Sequence, residues 1–389
     1  MMQSFRRLFL LKESSQLAIS VLLGIYVIAG LQTHWIFRNT NPEYDFAFYE
    51  TALKKALSAS DPYDVREIGP AFLYPPPALF IVEAFDLLRE LFVRRLIFTT
   101  VNVVILLLII LGVGGYFGYS ARAIWFWFPL AFFYAPALQT LELGQINLVT
   151  ALGILLFFIS TSPILSAVGL TLGMVTKVTP AVFLVYSLVK RDIKTILLSL
   201  IILTLAVGVS IGRYGLQPHL TYVEVFTQLL NTFPISQNSQ SFVSKVWVNF
   251  SPDVPPVLIQ RIYILYLGSL VLVSSIIASR TRDAVPVFVT LGLATAVSPN
   301  VMWYHHYVFL LMPLFVWMGW RKMEQKVVLW VIIGLLVVQL DYYFLTTGFL
   351  IHLFVQGSIL WILLQQYQHL YGSLPGLRRP SLENHVQPE

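Results

Sequence analysis

Apolar stretches long enough to cross a bilayer recur along the whole chain, separated by short polar connections. The runs at 16–36, 96–115, 195–212, 262–279 and 326–344 carry few charges. Each has the length of roughly 17–25 residues that a helix needs to traverse the hydrocarbon core. Backbone groups in lipid must be satisfied within the segment or in a closed barrel, so uninterrupted apolar runs of this length predict helices. The full pattern predicts an all-α polytopic membrane protein with about twelve spans, at roughly 16–37, 71–88, 95–115, 122–140, 145–160, 163–189, 194–213, 257–279, 284–298, 304–320, 326–345 and 349–367. Two connections are long, at about 38–71 and 214–256, and a polar tail at about 372–389 is expected to be mobile. No internal repeat or linker divides the chain, so residues 1–389 read as a single integral membrane domain. The first segment lacks a small-residue cleavage site and is expected to be a retained helix.

Composition agrees with this reading. Hydrophobic residues make up 57% of the 389 and charged residues only 11%, against about 25% in soluble proteins. The net charge of +6 would raise nucleic acid as a partner in a soluble chain. Here Lys and Arg gather on one set of connections instead, as the positive-inside rule describes. With the N-terminus inside, Arg6, Lys12, Arg94, Lys190, Arg280 and Arg321 are among the inner cations, while Arg38, Lys54, Arg213 and Lys245 are among the fewer outer ones. Both termini then lie inside and both long loops outside. Strict alternation puts Gly144 and Gln145 on the inner side, and a re-entrant pair over 122–160 would move them outward. The chain has no Cys, which excludes disulfides, thiol catalysis and thiolate-held metal.

The first long loop is rich in acids: Glu43, Asp45, Glu50, Asp61, Asp64 and Glu67. Phe46, Tyr49, Leu53 and Leu57 recur at helical spacing, which predicts an amphipathic helix lying at the interface. Asp45 at its start is either a helix N-cap or a carboxylate turned to outer-face chemistry. Asp61-Pro62-Tyr63 reads as a turn. Tyr74 precedes three prolines, Pro75 to Pro77, which suit an extended entry into a helix, and it is either an interfacial anchor or a site residue.

Polar groups inside apolar runs are costly and mark candidate sites. Gln145 and Asn147 stand in GQIN, with Glu142 just before, and Lys177 stands in KVTP with Pro180. A packing role for Lys177 would pair it with a carboxylate such as Glu142. In the second long loop Asn238, Gln240, Ser241 and Lys245 form a polar cluster whose amides suit sugar hydroxyls. His305 and His306 follow Trp303 and Tyr304. Adjacent helical positions point about 100° apart, so the two histidines are not expected to grip one metal. Neither HExxH, nor a phosphate-binding P-loop, nor a dinucleotide fingerprint occurs.

Taken in order, the early loop Asp, DPY, YPP, GQIN, KVTP, QNSQS and SPNVMWYHH resemble glycosyltransferase family 87, over about 44–313. The chain reads NSQS where the family's loop reads NQS. The resemblance implies the GT-C membrane fold. It also implies an inverting enzyme that takes a hexose, mannose first, from a polyprenyl-phosphate donor to a glycolipid or polysaccharide acceptor at the extracytoplasmic face of the plasma membrane. It implies Asp45 as general base and donor or acceptor contacts from Tyr49, Tyr74, Gln145, Asn147, Lys177, Asn238, Gln240, Ser241, Lys245, His305 and His306. No cofactor and no metal are expected, since the activated lipid supplies the energy. The rival reading is a secondary transporter or lipid flippase, which an intramembrane Lys and proline-broken helices would also fit.

Overall fold

The computed structural model describes residues 45–63, 72–88, 90–233, 239–250, 253–341 and 348–372, with isolated positions from Gly24 to Gln32 before them. Every regular element among the described residues is helical. Four helices are long and apolar enough to cross a membrane, Phe92–Tyr116, Ile193–Tyr214, Pro256–Thr281 and Phe349–Tyr371. At about 1.5 Å per residue they span roughly 33–39 Å, against a core of about 30 Å. A fifth candidate is the pair Ala123–Phe132 and Ala135–Leu143, bent by 61°. The bend falls where Pro136 begins the second helix. The buried backbone amide of Ala135, without an intrahelical acceptor at this helix start, donates to Gln339 Oε1 at 2.6 Å.

The long helices turn apolar side chains outward. Leu197, Ile201, Leu205 and Val209 of the Ile193–Tyr214 helix are all more than half exposed. A soluble protein does not present such a stripe to water, and the chain is an integral membrane protein. Shorter apolar helices fill the interior. Val285–Val297 is buried on nearly all sides. Asn147–Ile159 lies against Pro163–Thr176 with the two backbones in contact, since a Cβ on Gly153 would stand 2.6 Å from the Gly169 carbonyl oxygen and one on Gly169 would stand 2.6 Å from that of Gly153. Small residues at such a crossing let helices approach closely where no hydrophobic effect drives them together.

Among the described residues, four of the expected spans are not single α-helices: 122–140 bends between Phe132 and Ala135, 304–320 opens with the 3-10 turn Tyr304–Leu310 before Leu311–Trp320, and 71–88 and 163–189 are broken. Over 71–88 the prolines are spent on a 3-10 turn, Pro76–Ala78, leaving an α-helix of eight residues, Leu79–Asp86. That is about 12 Å, too short to cross. Its C-terminal end lies by the Asp45–Leu57 helix, where Phe85 packs on Phe46. Arg94, expected on the inner side, binds Glu50 of that helix at 3.0 Å and Asp86 at 2.9 Å. Over 163–189 the helix stops at Thr176 and Lys177 is extended (φ −151°, ψ 142°). The cause is Pro180, whose ring would meet the carbonyl four residues back, that of Thr176. The chain resumes as a 3-10 turn at Thr179–Phe183 and a short helix at Leu184–Val189. The expected first span and the C-terminal tail lie almost wholly outside the described residues.

Candidate functional site

A cavity of about 1380 Å³ opens between the Asp45–Leu57 helix and the ends of the interior helices. It exceeds the roughly 300–1,000 Å³ of a pocket for one small ligand. Asp45, Tyr49, Tyr74, Gln145 and Lys177 line it, as do Gln240, His305 and His306.

Asp45 is the first residue of its helix, whose apolar face, Phe46, Tyr49, Leu53 and Ala56, is buried. Phe46 packs on Phe85 and Phe98, and Arg94 clamps Glu50 one turn on. The helix is thus fixed from below and its N-terminus faces the cavity. Gln145 meets it from the turn after Ala135–Leu143, where Gly144 takes the left-handed conformation (φ 65°) that closes the helix and that glycine adopts without a Cβ penalty. Gln145 Nε2 donates to Asp45 Oδ2. Gln145 Oε1 accepts from Tyr74 OH at 2.7 Å and from Tyr49 OH at 2.8 Å. The two phenols decide the amide's orientation: the oxygen faces the donors, so the NH2 faces the carboxylate. Burial raises both phenols above their ordinary pKa, keeping them as neutral donors.

Tyr74 is itself held. Tyr63 OH donates to the Tyr74 carbonyl at 2.7 Å. Asp61 Oδ1 accepts from the Tyr63 amide at 3.0 Å, and Asp61 Oδ2 accepts from Thr221 at 2.8 Å. The Asp-Pro-Tyr turn therefore supports the site without entering it, and it ties the first loop to the Gln217–Asn231 helix of the second.

The ammonium of Lys177 lies 5.1 Å from the ring centre of Phe309 and 5.8 Å from that of Tyr74. No carboxylate among the described residues lies within ion-pair distance of it, so the expected packing partner Glu142 is not its partner. Its side chain lines the cavity between two aromatic faces, whose π-systems attract a cation. His306 Nδ1 accepts from the Trp303 amide at 3.2 Å, which leaves Nε2 as the protonated nitrogen of the neutral ring. His305 stacks edge-on against it, with ring centres 4.5 Å apart. Among the described residues no three His, Cys, Asp or Glu side chains converge as a metal set.

The remaining expected residues are dispersed. Ser241 caps the Phe242–Asn249 helix, its Oγ accepting from the Ser244 amide at 3.2 Å. Lys245 is buried nearby, with Asp341 as its close charged neighbour. Asn147 is fully buried, and none of these three lines the cavity. Asn238 lies outside the described residues. Sequence reasoning passed over Gln139, which lines the cavity, and His352, whose Nε2 donates to the Gln240 carbonyl at 3.0 Å. Both are polar side chains within apolar runs, the signal that singled out Lys177.

The model of glycosyltransferase family 87 matches residues 72–299, more than half of the chain. The match takes in Tyr74, Gln145, Lys177 and Gln240, and it ends before His305 and begins after Asp45 and Tyr49. No curated protein matches the chain.

Proposed function

The chain belongs to glycosyltransferase family 87, and on that premise we propose that it moves a hexose, mannose first, from a polyprenyl-phosphate donor to a glycolipid or polysaccharide hydroxyl, with inversion at the anomeric carbon. Asp45 is the general base. Tyr49, Tyr74 and Gln145 hold it, while Lys177, His305 and His306 receive the donor phosphate. The observation that carries the reading is that a carboxylate fixed by Gln145 and a cation held between Tyr74 and Phe309 open onto one cavity.

An acceptor hydroxyl is a weak nucleophile until a base takes its proton as attack develops. In the proposed step the proton passes to Asp45 and the hydroxyl oxygen bonds to the anomeric carbon. The bond from that carbon to the phosphate oxygen breaks on the opposite face, and its electron pair leaves with the lipid phosphate. Preorganised positive charge and N–H donors stabilise the charge that develops there, a role suited to Lys177 and to His306 Nε2–H. A phosphate already leaves well, so no acid is required to protonate it, in contrast to glycoside hydrolysis.

We place this cavity on the extracytoplasmic side of the plasma membrane. Lys190, Arg191, Lys194, Arg280 and Arg321 then lie on connections at the cytoplasmic side, consistent with the positive-inside rule. Twelve crossings remain the proposed total. The one removed at 71–88 is replaced by the second limb of the broken 163–189 segment.

The test is transfer by the purified chain in detergent, from radiolabelled polyprenyl-phosphate sugars to a membrane-lipid extract, without nucleotide or ion gradient. A labelled product is expected. A folded protein inactive with every donor, but moving substrate down a gradient in liposomes, would turn the assignment to transport.

A further inference from the structure

Gln139 and Gln240 both line the large cavity, and both are more than nine-tenths buried. The Oε1 atom of each is buried and accepts no hydrogen bond. Within the protein an unpaired buried amide oxygen is costly, because it has given up water for nothing. Both side chains line the cavity with an acceptor that no protein group uses, which points to a partner supplied by what the cavity binds.

The backbone that carries each amide is pinned. Beside Gln139, Thr140 Oγ1 donates to the carbonyls of Pro136 at 2.8 Å and of His305 at 3.3 Å. The Gln240 amide donates to the Met302 carbonyl at 2.8 Å. The Gln240 carbonyl accepts from Tyr307 OH at 3.3 Å and from His352 Nε2 at 3.0 Å. Tyr263 OH, 3.1 Å from His352 Nδ1, donates to that nitrogen and so fixes the tautomer in which Nε2 donates. Both glutamines are thereby anchored to the 302–307 segment that carries His305 and His306.

A carboxamide accepts through its oxygen and donates through its nitrogen, the match for a hydroxyl, which does both. Neutral amides favour an uncharged polyol over a second anion, whose charge Lys177 is placed to meet. We propose that Gln139 and Gln240 form the subsite that binds the hydroxyls of the donor's glycosyl group. His352 is a positioning residue that acts through Gln240. The subsite rests on the donor reading above and assigns the sugar, rather than the phosphate or the lipid, to these side chains.

The experiment compares binding of polyprenyl-phosphate mannose with that of bare polyprenyl phosphate, for the wild-type full chain and for Gln139→Leu, Gln240→Leu and Gln240→Met. Each variant is expected to lose roughly three- to tenfold in affinity for the glycosylated lipid, the worth of a neutral hydrogen bond, and nothing for the bare one. Melting temperatures should hold or rise, since an unpaired buried amide is replaced by an apolar group of similar size. His352→Phe should reproduce the selective loss, and His352→Gln, which keeps an N–H donor, should recover part of it. Wild-type preference for the glycosylated lipid that survives intact in all variants overturns the subsite alone. An equal loss for both lipids also overturns it. Failure of the folded wild type to bind either lipid overturns the donor reading and the subsite with it.

Discussion

The carboxamide nitrogen of Gln145 donates to the carboxylate of Asp45, 100 residues earlier in the chain, while its oxygen gathers the hydroxyls of Tyr49 and Tyr74. One side chain thus orients the carboxylate and joins the first loop to the helical interior. Gln145→Leu removes a donor from Asp45 and takes the acceptor from the Tyr74 hydroxyl, leaving the two phenols only each other. The expected cost is about 1–3 kcal/mol of stability, with a fall in kcat beyond what unfolding explains. Gln145→Glu places a second carboxylate against Asp45. A like charge disfavours ionisation and raises the pKa of the base. A base works above its pKa, so the acid limb of the rate profile should move to higher pH.

Lys177 stands between Tyr74 and Phe309 and lines the cavity. Lys177→Met should weaken donor binding at least about tenfold, the scale of a single charge-assisted contact, and leave the melting temperature unchanged or higher. Titration with polyprenyl phosphate reads the first effect and calorimetry the second. Unchanged affinity would leave this cation outside the phosphate site.

In the proposed topology both ends of the Leu79–Asp86 helix lie on one side of the membrane: at eight residues it is too short to cross, and Arg94 ties its C-terminal end to Glu50. Because the chain has no Cys, single cysteines can be introduced at Ser60 and Leu87, both exposed. A membrane-impermeant maleimide should label them from the same side of sealed vesicles. Labelling from opposite sides would restore a crossing between them.

The contact between Asn147–Ile159 and Pro163–Thr176 admits no side chain at Gly153, where a Cβ would meet the Gly169 oxygen at 2.6 Å and the Gly173 nitrogen at 2.7 Å. Gly153→Ala should lower the melting temperature and impair activity by displacing the Lys177 end of the second helix. Gly208→Ala, with nothing within 4 Å, should be neutral or stabilising by up to about 1 kcal/mol. Equal behaviour of the two variants would contradict the close packing.

Hydrophobic patterning made the membrane class and the helix at Asp45–Leu57 legible, because apolar length and helical spacing are local properties. It misjudged 71–88 and 163–189, where hydropathy stays high but prolines break the hydrogen-bond ladder. In the proposed topology these two departures offset one another, so the charge bias of the later connections reads the same either way. Asp45, Tyr74, Gln145 and Lys177 stood out as polar groups at apolar borders, and the fold brings them to one cavity. Ser241 and Lys245 looked alike on composition but serve a helix cap and a buried charged neighbourhood. Asp61 and Tyr63 carried a turn signal but no hint that the turn holds Tyr74 from behind. Gln139 and His352 were hidden because their significance depends on what faces them, which spacing alone does not encode.

The most direct test of the central claim is sugar transfer by purified Asp45→Asn beside wild type. The Asn oxygen still accepts from Gln145 Nε2, so folding and donor affinity should hold. Loss of the base should lower kcat by about 10²–10⁴-fold. Full transfer by Asp45→Asn would contradict the account and remove this carboxylate from the chemistry.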